Sequence, residues 1–249
     1  MSIQIGPQLR VLDSPTELHD AQVRHAKRGL CPSTDPGKVW DNLLAVEILE
    51  AIGRKAAILD VGCRSGILLP WLTETGFDDL WGVDTRLPLP PIKAAITRRQ
   101  PRTLSASLVH LVKHWRHLRR ASGERLPFAD GQFAAVTCMS VIEHGVNVDR
   151  FLEEAYRVLA IGGYLIISTD FWYEPLARTS RLFGAPDVVF APVQIESMLR
   201  NAARLGFDVP PPPRSDGHGA TPMVQFGGQS YTFLLMLLIK AGRGQESAP

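Results

Sequence analysis

No run in this 249-residue sequence approaches the roughly 20 apolar residues that a bilayer-crossing helix requires. The longest apolar stretch, Tyr231 to Ile239, is strand-sized. The first residues lack a basic region followed by an apolar one, so no secretion signal is expected. Cysteine is scarce. Cys31, Cys63 and Cys138 stand far apart, form no CxxC pair and offer no disulfide framework, which fits a reducing, cytoplasmic setting. Acidic residues are missing from one long segment. Residues 85–123 carry nine of the 27 Lys and Arg residues and three histidines but no Asp or Glu; the remainder holds 18 basic against 25 acidic residues.

What is present suits a globular chain. Hydrophobic residues make up 45% and charged residues 21%, enough apolar side chain for one large core. Residues 1–38, broken by proline and glycine, read as a lead-in or cap with a short helix near 16–28. Apolar periodicity predicts a helix over 39–52, stopped by Gly53. A short apolar strand at 56–61 then meets a glycine loop at 62–66, a helix over 67–75 and a second strand at 79–84. This is a βαβ unit, from which parallel sheets are built.

Past the basic stretch, strands are expected at 133–140 and 164–169, with helices at 149–159 and 192–205. A strand begins at 207, and a Pro/Gly-rich excursion over 210–228 precedes a last strand at 231–240. The alternation predicts an α/β fold, a doubly wound, mostly parallel, seven-stranded sheet with an antiparallel edge hairpin. The main domain is expected over 39–242, with a basic helical insertion at about 88–121 and a tail from 243.

The chemistry concentrates at strand ends. Gly62 and Gly66 let backbone approach a ligand where strand hands over to helix, and in doubly wound sheets ligands settle at that edge. Asp84 ends the next strand, 22 residues past Gly62, where a carboxylate can accept both hydrogen bonds of a ribose diol. A pyrophosphate loop wants G-x-G-x-x-G. Here those positions are Gly62, Arg64 and Ile67, which weakens a nicotinamide dinucleotide reading.

Ile58-Leu-Asp-Val-Gly-Cys-Arg-Ser-Gly66 and Gly82-Val-Asp84 resemble the first two motifs of class I S-adenosylmethionine-dependent methyltransferases. Arg125-Leu-Pro-Phe-Ala-Asp-Gly-Gln-Phe133, Ser140-Val-Ile-Glu-His144 and the segment Glu154 to Gly163 resemble the later ones, in order, so the likeness spans about 40–240. The resemblance implies S-adenosyl-L-methionine as cofactor. Its amino-acid end would be held by Asp60 and the backbone of Gly62, Cys63 and Gly66, and its ribose by Asp84. Backbone near Met139 and Ser140 would border the sulfonium and the acceptor. Methyl transfer needs alignment and dryness more than covalent help. Where the acceptor must first lose a proton, His144 is the candidate base, with Glu143 beside it.

The chain departs from the family pattern at three places. Arg64 replaces a usual glycine and its side chain could crowd the cofactor. Ser122 stands where an acid often reads the adenine amino group, and Ala134 follows Phe133 in place of an acid. A binding or scaffold domain without turnover is therefore an alternative. An RNA methyltransferase using the basic stretch is another.

Within that stretch Leu104, Leu108, Leu111, Trp115 and Leu118 share one helical face, and His110, His114 and His117 the opposite one. With no carboxylate or cysteine near, the histidines read as a solvated polar face rather than a metal site. The cations could attract an anionic acceptor, RNA or a phospholipid surface. Lacking aromatics spaced for stacking, the segment points to a surface helix or an anionic small molecule before nucleic acid. Trp172 and Tyr173, just after the fifth strand, could wall an acceptor pocket. The 210–228 excursion suits a lid or a loop. Nothing in the sequence specifies the oligomeric state.

Overall fold

The computed structural model describes residues 5–33, 35–63, 66–86, 100–176, 181–182, 185–217 and 219–242. The strands are β1 (Gln8–Val11), β2 (Ile58–Val61), β3 (Leu80–Asp84), β4 (Leu118–Arg120), β5 (Phe133–Met139), β6 (Leu159–Phe171), β7 (Arg181–Leu182), β8 (Ala185–Pro186), β9 (Phe207–Asp208), β10 (Val224–Phe226) and β11 (Gln229–Lys240). The helices are α1 (Pro15–Arg28), α2 (Val39–Ile52), α3 (Leu68–Glu74), α4 (Pro101–His114), α5 (Val148–Val158) and α6 (Pro192–Leu205). None of the described helices is long and apolar enough to cross a membrane.

The main sheet has nine strands among the described residues, in the order β1-β11-β6-β5-β2-β3-β4, with β9 and β10 also paired to β11. The five strands from β6 to β4 run parallel, and β11 lies antiparallel against β6 and β1. The parallel centre and the antiparallel side agree with the expectation. The strand count exceeds the expected seven, because Gln8–Val11 of the lead-in adds β1 and the excursion adds β10, both beside β11. The sheet's margin there carries the N-terminal strand β1 as well as the expected hairpin, which β10 and β11 form.

Both faces of the sheet are covered, so its strands are apolar on both sides. Ile166, Leu235 and Leu237 point into one core with α2 and α3; Leu165, Ile167, Leu234 and Met236 point into the other with α5 and α6. The two-residue alternation of side chains along a strand produces that division. Helix α2 is buried nearly all round, its Trp40, Leu43 and Leu49 fully enclosed. Ser14 caps α1, its side chain accepting from Glu17 N, and Gly29 in the left-handed region ends it.

The loop before β5 is clamped from α5. Arg157 donates to the carbonyls of Leu126 (2.9 Å) and Phe128 (2.7 Å) and to the carboxylates of Glu154 and Asp130 (both 2.8 Å). Glu154 in turn accepts from Leu126 N at 2.6 Å. The Leu-Pro-Phe segment and the Glu154–Arg157 turn of helix are thus two halves of one device. Gly163 has a packing reason, since a Cβ there would stand 2.7 Å from the Ala160 carbonyl oxygen.

The basic segment departs from the expected single helix to 121. Helix α4 ends at His114, a 3-10 turn follows over Trp115–His117, and β4 joins the sheet edge beside β3. Its orientation is also reversed. His110 and His114 are 4% and 2% exposed, so the expected solvated face is the buried one. Thr103, Ala106 and Ser107 are small enough to seat that face closely, and Thr103 Oγ1 donates to the Pro32 carbonyl at 2.6 Å. Lys93, Arg98, Arg99 and the tail from 243 lie outside the described residues.

Candidate active site

The described site elements expected from the sequence lie at the carboxyl ends of the parallel strands, the aromatic loop directly after β6 among them. At the end of β2, Asp60 is fully enclosed and accepts from Thr137 Oγ1 of β5 at 2.7 Å. Burial, with the nearby Asp84 carboxylate adding to it, pushes its acid up to about 7. Asp84 ends the adjacent parallel strand, where Asp60 pairs with Gly82 two residues before it. Asp84 Oδ1 also accepts from Arg86 N at 2.8 Å, which turns the chain after β3.

Gly62 sits at φ +82°, and a Cβ there would lie 2.3 Å from Val141 Cγ2. The backbone bend and its closeness to the β5 end both require glycine. Gly66 is less crowded, a Cβ meeting nothing nearer than Cys63 O at 3.7 Å and Asp60 Oδ2 at 3.8 Å. The amides of Gly62 and Cys63 both donate to the Val83 carbonyl, at 2.8 and 3.2 Å. These two amides thus tie β2 to β3. The Cys63 side chain is buried and packs over Gly82, where a Cβ would be 2.6 Å from the sulfur. Arg64, whose side chain the sequence suggested could crowd the cofactor, lies outside the described residues.

Ser122 follows β4 on the neighbouring turn, joined to Asp84 through Ala121 N, which donates to the Asp84 carbonyl at 3.1 Å. Its hydroxyl accepts from Glu124 N at 3.2 Å. The residue is exposed at the rim.

A second group of polar side chains gathers where β5 and β6 end. Ser140, with φ +54°, is the one non-glycine residue at positive φ among the described residues. Such backbone strain costs about 1–3 kcal/mol and tends to cluster at functional sites. Its hydroxyl meets the Lys38 ammonium, which lies 3.8 Å from both Asp41 and Asp170 and 3.4 Å from the centre of the Phe233 ring. Ser168 donates to Asp41 at 2.8 Å, and Tyr231 hydrogen-bonds Asp170. Burial raises the acids of Asp41 and Asp170.

His144 Nδ1 faces Asp187 Oδ1 at 2.8 Å. Glu143 is fully buried and accepts from Thr169 Oγ1 at 3.2 Å. Enclosure, reinforced by Asp170, drives its acid well above the usual carboxylate range, so near neutrality it holds a proton. The aromatic pair differs from the expected wall. Tyr173 is buried, its hydroxyl donates to Asp13 at 2.7 Å, and Gly217 presses on its ring. It braces the N-terminal segment against the 210–228 excursion, whose end forms the β10–β11 hairpin. Trp172 is half-buried, with its backbone N donating to the Phe190 carbonyl at 3.0 Å.

Sequence reasoning missed Lys38, Asp41, Asp187 and Tyr231. Asp41 had left a signal, an acid inside an otherwise apolar helix.

Residues 59–167 match the family described as Methyltransferase domain. With the strand order and the acid-flanked bend, this match establishes a class I S-adenosylmethionine-dependent methyltransferase fold. Two curated relatives, the Ubiquinone biosynthesis O-methyltransferases of Psychrobacter cryohalolentis and Psychrobacter arcticus, are each 32% identical over 113 residues, covering 45% of this chain and 40% of theirs. The chain thus spans less than half the length of the curated relatives it matches. Among solved structures, the 1,6-didemethyltoxoflavin-N1-methyltransferase of Burkholderia thailandensis aligns at 16% identity and TM-score 0.53, over 97% of this chain and 99% of that one. An S-adenosylmethionine-dependent methyltransferase from Mesorhizobium loti aligns at 15% identity and TM-score 0.52, over 83% and 99%.

Proposed function

We propose that the protein transfers a methyl group from S-adenosylmethionine to an oxygen or nitrogen of a small acceptor bound near Ser140. The carrying observation is the pair of acids, Asp60 and Asp84, flanking a bend that opens at Gly66, next to a strained Ser140 and a carboxylate-held histidine. The donor set suits the cofactor: Asp60 for its ammonium, Asp84 for its ribose hydroxyls, and Ser122 at the rim for adenine. When bound, the sulfonium supplies an activated methyl group. The protein's part is to align the acceptor, exclude water and receive a proton.

His144 is the proposed proton acceptor. Asp187 at 2.8 Å favours the tautomer with the proton on Nδ1, leaving Nε2 as the basic nitrogen. Glu143, buried and protonated, supports this wall through Thr169 and is assigned a positioning role. Trp172 remains a proposed acceptor contact. Lys38 orients Ser140 and balances part of the surrounding acid.

Among the described residues, Asp41, Asp170 and Asp187 outnumber Lys38 and His144 here. That balance favours an acceptor that donates hydrogen bonds, a hydroxyl or amine, over the anionic acceptor suggested by the basic stretch. The O-methyltransferase relatives and the N-methyltransferase neighbour fit either atom.

The test is transfer of radiolabelled methyl from S-adenosylmethionine to a panel of phenols, catechols and heteroaromatic amines. Label should appear in at least one acceptor. His144→Gln should lower kcat by about 10²–10⁴-fold and abolish the acidic limb of the pH profile. Label transfer that His144→Gln leaves unchanged would remove the base assignment, and no transfer to any acceptor would favour the scaffold alternative.

A further inference from the structure

We propose that the outward face of α4 and the turn after it form a docking surface for anionic lipid bilayers, independently of methyl transfer. Because α4 buries its histidine face, part of its apolar surface is turned to solvent. Leu108, Val109, Val112 and Trp115 are 43%, 55%, 77% and 61% exposed among the described residues. They recur at helical spacing and form one ridge. Isolated exposed apolar side chains need no explanation, but a continuous ridge marks an interaction site.

The inward face explains the reversal. His110 Nδ1 contacts Thr73 Oγ1 of α3 at 2.8 Å. Burial, with nearby cations, lowers the acids of His110 and His114 to about 3 and about 4, so both are uncharged near neutrality. Neutral imidazoles can be buried where cations could not. The alternative orientation would enclose the larger ridge residues and expose the histidines.

Charge selects the occupant. Arg116 and Arg119 adjoin the end of the ridge, and the Arg116 guanidinium lies 5.5 Å from the Trp115 ring centre. Residues 85–123 contain no acid, and Asp78, which faces this helix, is held by Lys113 at 2.6 Å. An apolar ridge with Trp at its end and a cationic collar is the composition of a helix lying in a bilayer interface. A second copy would bring two cationic collars together, and RNA phosphates would gain nothing from the ridge. Since α4 links parallel β3 to β4, its last turn lies at the amino ends of the strands, opposite the proposed active site.

The experiment is co-sedimentation of the full chain with phosphatidylcholine vesicles, with and without 30% phosphatidylglycerol. The protein should bind the anionic vesicles at least tenfold more tightly, and raised salt should weaken that binding. Vesicles should shield Trp115 from acrylamide, a protection absent in Trp115→Phe. Val112→Asp with Trp115→Asp should lower binding by at least tenfold while circular dichroism stays unchanged. Arg116→Gln and Arg119→Gln should each lower it by about fivefold, following about 1 kcal/mol per cation. Equal binding to both vesicle types, or binding unaffected by the ridge substitutions, would overturn the proposal. So would a dimer in sedimentation velocity that the ridge substitutions dissociate, or tRNA binding that requires the arginines but not the ridge.

Discussion

Replacing Gly62 by alanine tests the bend where β2 meets the site. Two separable costs apply. An alanine at φ +82° costs about 1 kcal/mol or somewhat more. Its Cβ would also stand 2.3 Å from Val141 Cγ2, an overlap that overpacking data place at about 1–3 kcal/mol. Gly62→Ala should therefore destabilise the protein by about 2–4 kcal/mol and lower Tm by roughly 5–15 °C for a chain of this size. Val141→Ala leaves only a 3.3 Å contact with Val141 Cβ, so it removes the overlap and retains the dihedral cost. The double variant should be more stable than the sum of the singles by about 1–3 kcal/mol. Urea unfolding followed by circular dichroism measures all four states. Strict additivity would refute the close approach, and a Gly62→Ala cost below about 0.5 kcal/mol would refute the backbone argument as well.

Asp60 gives a pH prediction. Its folded acid lies near 7 against about 3.9 when unfolded. Between those values the folded state keeps a proton that the unfolded state has lost, so its contribution to stability falls as pH rises, by about 1.4 kcal/mol per unit, and levels off above 7. His110 and His114, lowered to about 3 and about 4, act with the opposite sign below about 6.5. The readout is therefore the difference between wild type and Asp60→Asn in urea unfolding from pH 4.5 to 7; parallel curves would contradict it. Arg157→Ala should cost about 2–3 kcal/mol by freeing the carbonyls of Leu126 and Phe128, with faster amide exchange over 126–130, and unchanged exchange would refute the clamp. His110→Leu should be neutral or stabilising by up to about 1 kcal/mol, because Nε2 is buried without a partner among the described residues; a loss above about 2 kcal/mol in thermal unfolding would indicate an interaction this account lacks.

Local pattern carried much of this structure. Helices α2 and α6 have the bounds that their periodicity and glycine stops predict, and the Gly62 to Asp84 spacing set both acids at one edge. What stayed hidden depends on distant partners. Strand β1 is recognisable only through Leu234 to Leu237, more than 200 residues away. Strand β4 has three residues with Arg119 and Arg120 outward, which imitates a charged helix end. The α4 histidines read as polar because their neutral state is a consequence of burial. Lys38 and Asp41 precede the recognisable motifs, and only the packing of α2 beneath β5 and β6 brings them to Ser140.

The most direct measurement is calorimetric titration with S-adenosylhomocysteine, comparing wild type with Asp84→Asn and Asp84→Ala. Wild type should bind one equivalent. Removal of the carboxylate that would hold the ribose diol should weaken binding by about 10–100-fold, as expected for one or two charge-assisted hydrogen bonds. No wild-type binding at millimolar ligand, or identical affinities in all three proteins, would contradict the site between Asp60 and Asp84.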